Sequence, residues 1–275
     1  MCYNHLKTCF YVLGDELVGM LDERETEWIV RDVHRLLVAD WPNGVPMPNL
    51  PRWRHVLLQV LLRAHTMTDR DRHTLGQAFV LIDLGLKLHE TLDALYQEKT
   101  KSYPGLFRPE LTAWADLLTP AERVLLGDLL SSRYFLLLSE AGLIHAVYRF
   151  ARAIEDVHIH KALLWQYLRS EPLDGMRLFN LKVNIESALF QAVMPEGMSW
   201  QTLPLAVVRY YIGQRGTPLI PMRELTRFHE ELYALLKTLL PGQKAQQEYL
   251  MMQWMDDGHS SSGNVLSGRF AGEGS

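Results

Sequence analysis

Residues 121–168 read AERVLLGDLLSSRYFLLLSEAGLIHAVYRFARAIEDVHIHKALLWQYL, and the reading of this stretch decides the fold. It divides into two helices at Glu140-Ala141-Gly142. Beyond Arg123 the first half is apolar at Val124, Leu125, Leu126, Leu129, Leu130, Phe135, Leu136, Leu137 and Leu138. A helix with apolar residues on every side needs cover on every side, so this one is expected to be central and fully buried. Its few polar residues are ordered: Asp128, Ser131 and Ser132 recur at i, i+3 and i+4, which places them in one narrow stripe. Next to Gly127, such a stripe suits a close crossing of two helices. The alternative is that Gly127, Asp128 and Ser131 border a site.

Working outward, Thr119-Pro120-Ala121-Glu122 opens this helix with a capping-box pattern, Pro at the first position and Glu at the third. Upstream, residues 4–38 are broadly helical, and Trp41-Pro42-Asn43-Gly44-Val45-Pro46 ends that run. Helix resumes over 57–64; the charged stretch 66–74 reads as a connector, and 76–96 as a long helix. Residues 99–109 form a polar loop with Pro and Gly. Downstream, helices are expected from about 175 to 194, over 225–240 and over 245–255. Residues 203–211 hold a strand-like apolar run, but no other segment offers a strand to pair with, so helix is expected there too. The expectation is one all-α domain over residues 1–256, followed by a disordered Gly- and Ser-rich tail over 257–275.

Composition narrows the function classes. Of 275 residues, 48% are apolar and 22% charged, ample for a core. The net charge of −4, with no Lys/Arg run, argues against a nucleic-acid partner. Cys2 and Cys9 are too few for a disulfide framework or a zinc site. Residues 1–10 lack the features of a signal peptide, and no apolar run reaches the ~20 residues that span a bilayer. A cytoplasmic protein without a transmembrane segment is expected.

Most motif-like fragments carry no chemistry. His158 and His160 are two apart, on different faces of a helix, and poorly placed to share an ion. His89-Glu90 begins no zinc-peptidase signature, because Asp93 stands where the second His would be. The glycines of the tail lack the strand, helix and Lys of a phosphate loop.

Four stretches in order remain: Leu81 to Asp93; Val124-Leu125-Leu126-Gly127-Asp128 with Leu137-Leu138-Ser139-Glu140; Ala153 to Val157; and Glu186-Ser187-Ala188-Leu189-Phe190. In this order and spacing, over residues 76–190, the chain resembles the all-trans polyprenyl diphosphate synthases. More narrowly, it resembles the small non-catalytic subunit (component I) of the two-component heptaprenyl diphosphate synthase. The resemblance implies a single-domain helical bundle of the isoprenoid-synthase type, with a degenerate active site.

Catalytic chains of that family carry two aspartate-rich motifs, because the diphosphate leaving an allylic carbon must be neutralised by Mg²⁺ held on carboxylates. The first motif, His-Asp-Asp-x-x-Asp, matches His89-Glu90-Thr91-Leu92-Asp93-Ala94, where Glu90 alone keeps an acid in register. The Lys-Thr pair expected before the later Leu-Phe is Ile185-Glu186, and no Asp or Glu occurs between Gly197 and Arg223. A Gly-Glu pair of the family falls at Ile159-His160.

The resemblance therefore implies a chain with no catalytic or metal-binding residues of its own, inactive alone. Its partner would be a catalytic large subunit that holds the Mg²⁺ and extends farnesyl diphosphate with isopentenyl diphosphate, giving the menaquinone side chain. Gly127, Asp128, Ser131 and Glu90 are then expected along a prenyl diphosphate product tunnel or at the subunit interface. The competing readings are a stand-alone all-α module for apolar ligands or a regulatory partner, and a lone enzyme using Glu90 and Asp93.

Overall fold

The computed structural model describes residues 23–38, 40–42, 45, 50–90, 117–169, 174–195, 197, 201–215 and 220–255. These form nine helices and, among the described residues, no strand: α1 Glu23–Leu37, α2 Arg52–Arg63, α3 Asp69–Glu90, α4 Pro120–Glu140, α5 Ile144–Leu168, α6 Gly175–Val193, α7 Leu203–Arg215, α8 Met222–Leu239 and α9 Lys244–Met255. The expected all-α class is what is found. Residues 4–22, 91–96, 99–109 and the tail 257–275 lie outside the described residues, as do Thr91, Leu92, Asp93 and Ala94. No helix of the described residues is long and apolar enough to cross a membrane.

Local chemistry accounts for most boundaries. The Thr119 hydroxyl accepts from the Glu122 amide at 3.3 Å and the Glu122 carboxylate accepts from the Thr119 amide at 2.7 Å, closing the capping box that starts α4. Between α4 and α5, Gly142 takes φ of 72°. Its amide donates to the Ser139 carbonyl at 3.0 Å and the Leu143 amide to the Leu138 carbonyl at 2.9 Å, a Schellman stop. The run 66–74 is a connector only over 66–68, and the rest of it is the first turns of α3. Thr68 accepts from the Asp71 amide at 3.1 Å, and α3 begins at Asp69, with acidic side chains suited to a helix N-terminus. Residues 203–211 are helical, within α7.

The helices pack as a layered bundle in which α3 lies along α4, α5 along α6, and α6, α7 and α8 follow one another. Among the described residues α2 is a central element: it touches α1, α3, α6 and α9 and buries nine consecutive or nearly consecutive residues from Trp53 to Leu62. Trp53 stacks on Tyr211 of α7 with centroids 4.3 Å apart and meets Phe190 of α6 at 5.9 Å. Phe190 in turn meets Phe79 of α3 at 4.7 Å. Aromatic contacts thus join four helices through one point.

This placement corrects the expectation for residues 121–138. α4 buries only Leu126, Gly127, Leu130, Tyr134 and Leu138. Val124, Leu125, Phe135 and Leu136 are exposed, Leu125 by 68%. Periodicity reports that a helix is apolar all round; it does not report that the cover comes from the same chain. Asp128, Ser131 and Ser132 are exposed as well, Asp128 and Ser131 at the rim of the contact with α3.

The inward face of α4 makes the close crossing. A Cβ at Gly85 of α3 would lie 3.3 Å from the Gly127 carbonyl, 3.5 Å from Leu130 Cβ and 3.7 Å from Ser131 Oγ. A larger side chain there has a backbone in its way. Gly85→Leu should force α3 and α4 apart at a cost of ~1–3 kcal/mol, leaving a folded chain against a total of ~5–15 kcal/mol. The check is denaturant unfolding; an unchanged midpoint would show that the crossing is looser than this geometry.

Candidate functional site

Seven charged side chains meet in the interior between α2, α3, α5 and α6. Arg54 of α2, 1% exposed, reaches Asp83 of α3 with one guanidinium nitrogen and Glu186 of α6 with the other, the latter at 2.5 Å. The guanidinium lies 5.0 Å from the Trp53 ring centroid and 5.1 Å from that of Phe190. Lys87, one turn after Asp83 on α3, donates to both Glu186 oxygens at 3.1 Å. Lys182, one turn before Glu186 on α6, lies 2.9 Å from Glu186 and 3.1 Å from Glu90. Lys161 of α5 donates to the Leu86 carbonyl at 3.2 Å.

The electrostatics follow from burial and proximity. Burial alone would raise the carboxyl of Glu90, but Lys182, then Lys161 and Lys87, outweigh it and hold the group down to about 2. Glu186 is held well below the ordinary carboxylate range in the same way, by Lys182, Lys87 and Arg54 against burial. Lys87 is the reverse case: burial lowers it, yet Glu186 and Glu90 raise it above its usual value. Lys161 falls below the ordinary lysine value, because burial and the neighbouring Lys182 and Lys87 exceed the pull of Glu90. Among the described residues four cations face three carboxylates, so this set, fully ionised, carries one positive charge in excess.

The expected site residues divide into two groups. Glu90 belongs to this network. Gly127 and Asp128 gather instead around His89: a Cβ at Gly127 would fall 2.0 Å from His89 Nε2, and that nitrogen lies 3.7 Å from Asp128 Oδ1. The Ser131 hydroxyl donates back to the Gly127 carbonyl at 2.9 Å. Successive residues His89 and Glu90 thus point to opposite surroundings, one to the α4 crossing and one to the charged interior. Ile185 is buried beside Glu186, whereas Ile159 is exposed and His160 Nδ1 lies 2.7 Å from the Asp156 carbonyl.

Arg54, Asp83, Lys87, Lys161 and Lys182 were not among the residues expected to matter. A signal for them exists in the sequence. Asp83 and Lys87, and likewise Lys182 and Glu186, stand four apart within largely buried helix segments, and Arg54 interrupts a run that is almost wholly buried. Ionised groups at such positions need partners.

These carboxylates do not suit Mg²⁺. That ion demands a near-octahedral set of oxygens and keeps several waters. Here Glu90 and Glu186 already face ammonium groups at 2.9–3.1 Å. A divalent ion would enter an interior that already has cations in excess. Among the described residues no group of three His, Cys, Asp or Glu is placed to hold a metal. Compared with known proteins, the chain matches no family model, no curated protein and no solved structure.

The network makes a paired prediction. Glu186→Gln leaves three buried cations short of a partner and should cost about 3–5 kcal/mol. Lys161→Met removes the excess charge and should leave stability unchanged or raised. The wild type should also lose stability as pH falls from the ordinary carboxylate range toward about 2, because the unfolded chain takes up the protons that Glu90 and Glu186 refuse. Urea midpoints across that window test this. Equal losses from the two substitutions would refute the charge balance described.

Proposed function

We propose that this chain is the non-catalytic subunit of a heteromeric all-trans polyprenyl diphosphate synthase of the heptaprenyl type. It pairs with a larger subunit that holds Mg²⁺ and joins isopentenyl diphosphate to farnesyl diphosphate, building a menaquinone side chain. The observation that carries this reading is the filled interior. Where a catalytic chain presents the first aspartate motif and a phosphate-binding Lys-Thr pair, Glu90 and Glu186 are instead bound to Lys182, Lys87 and Arg54. Carboxylates spent on internal ammonium groups are not free to carry a metal for a leaving diphosphate.

A second feature supports the pairing. The outward face of α4 presents Val124, Leu125, Phe135 and Leu136, and that of α5 presents Ile144, Tyr148, Ile159 and Leu163, all at least 40% exposed. Exposed apolar surface of this extent marks a protein contact. In this reading Asp128 and Ser131 lie on the partner-facing side of α4, while Gly127 and Glu90 serve the internal packing that keeps that face in shape.

The chain alone should show no prenyl transfer with farnesyl diphosphate, isopentenyl diphosphate and Mg²⁺, and should raise the turnover of a large subunit bearing both aspartate motifs. Sustained turnover by the chain alone, or no effect on such a subunit, would refute the proposal.

The interface can be probed separately. Phe135→Asp places a charge in the apolar contact and should weaken activation at least tenfold, about 1.4 kcal/mol or more. Circular dichroism should remain helical, since the position is half exposed in the free chain. Full activation by this variant would move the contact away from α4.

A further inference from the structure

Lys161 is set apart from the other cations of the buried cluster. Arg54 touches Asp83 and Glu186, Lys87 touches Glu186, and Lys182 touches Glu186 and Glu90, each contact at 3.1 Å or less. Lys161 is as deeply buried as Lys182, yet among the described residues it has no carboxylate partner. Its ammonium makes one hydrogen bond, to the Leu86 carbonyl at 3.2 Å. That bond fixes it beside the last turn of α3, with Glu90, Lys182, Lys87 and Glu186 all within its field. An ammonium has three N–H donors, so two of them meet no acceptor among the described residues.

A buried charge is tolerated when it is paired, and Lys161 is paired only with a backbone dipole. Two events would relieve it. Loss of its proton has to overcome the high basicity of an amine. It would also leave a lone pair among Lys87 and Lys182, whose protons are directed to Glu186 and Glu90. An anion from solvent meets both needs, since it accepts the remaining N–H donors and supplies the missing charge. The excess among the described residues is one elementary charge, so a monovalent anion balances it and a dianion would overshoot. Access is graded in the same sense. Arg54 and Asp83 are 1% and 2% exposed, whereas Lys161 and Lys182 are each 6% and Glu90 is 8% exposed. The Lys161 end of the cluster therefore touches solvent more than the Arg54 end, and an ion little larger than a water molecule suits so small an opening.

We propose that Lys161 is the centre of a site for a monovalent inorganic anion, chloride being the simplest, held by the remaining donors of its ammonium between α3, α5 and α6. The anion is the counter-ion that the described residues do not supply. The other three cations join helices through acids of this chain, whereas Lys161 ties α5 into the network through the bound anion. The inference rests on the buried cluster and does not depend on the activity proposed above.

The test uses the full chain with chloride as the probe. The chloride NMR line should broaden when the wild-type protein is added, and sharpen again when bromide competes for the site. Lys161→Met should abolish the broadening. Glu90→Gln removes a neighbouring carboxylate that repels the anion and should tighten binding several-fold. Urea unfolding gives an independent reading. For a site of ~10 mM affinity, raising chloride from ~1 to ~100 mM in place of the bulky anion gluconate, at constant ionic strength, should lower the unfolded-to-folded ratio about tenfold. The same exchange should leave Lys161→Met unchanged, and circular dichroism confirms that each variant is folded. Absence of bromide-sensitive broadening with the wild type would overturn the proposal whatever the variants do. So would a chloride effect on unfolding that persists undiminished in Lys161→Met, because it would then belong to the salt and not to this lysine.

Discussion

Glu186 sits where three helices converge, and each supplies it with a cation: Arg54 from α2, Lys87 from α3 and Lys182 from α6 itself. A lone carboxylate at that depth would carry a desolvation penalty of several kcal/mol. Its ionisation is tolerable only because those three groups are in place, and they are in place only when α2, α3 and α6 have the right rotation and register. Apolar packing is more permissive, since Leu and Val side chains can slide or repack at modest cost. The ion network is directional. The aromatic contacts of Trp53, Phe79, Phe190 and Tyr211 fill the same region but would tolerate shifts that separate Arg54 from Asp83 and Glu186.

The outer layer is held differently. α3 and α4 approach through Gly85 and Gly127, where the absence of side chains brings a backbone carbonyl within 3.3 Å of the next helix's Cβ position. That closeness lets a short inward face, five residues of α4, suffice to dock it. The remaining apolar side chains are then left outward. A helix docked by a narrow face and apolar elsewhere has surface to offer a second protein, so the tightness of one crossing and the exposure of Leu125 and Phe135 are two sides of one arrangement.

Much of this was legible in the residues. The Thr119–Glu122 box and the stop at Gly142 follow from local chemistry that needs no distant partner, whereas the helix over 203–211 follows only from the lack of a second strand for that apolar run to pair with. The start of α3 was misplaced because the polar run after Thr68 resembles a linker unless the hydroxyl of Thr68 is seen as a cap. The burial of α4 was misjudged because periodicity cannot say whose atoms provide the cover. The interior network was the least legible. Its members are individually odd, charged residues among Leu, Ile and Phe, but Arg54 meets Glu186 across 132 residues and Lys182 meets Glu90 across 92. Nothing local identifies which cation belongs to which acid.

The shared carboxylate of Glu186 also governs how this sequence can drift. Each of Arg54, Asp83, Lys87, Glu90, Lys182 and Glu186 is tolerated because of the others, so replacing any one strands a charge that its neighbours had neutralised. Intermediates between two balanced sets are less stable than either end. Such a landscape behaves as a ratchet. A core balanced in this way does not change by single steps, since the first new carboxylate or the first lost lysine would unbalance it before any gain appeared. Sequences descended from this one should therefore alter these six positions together or not at all, even as the surface of α5 changes with whatever it meets.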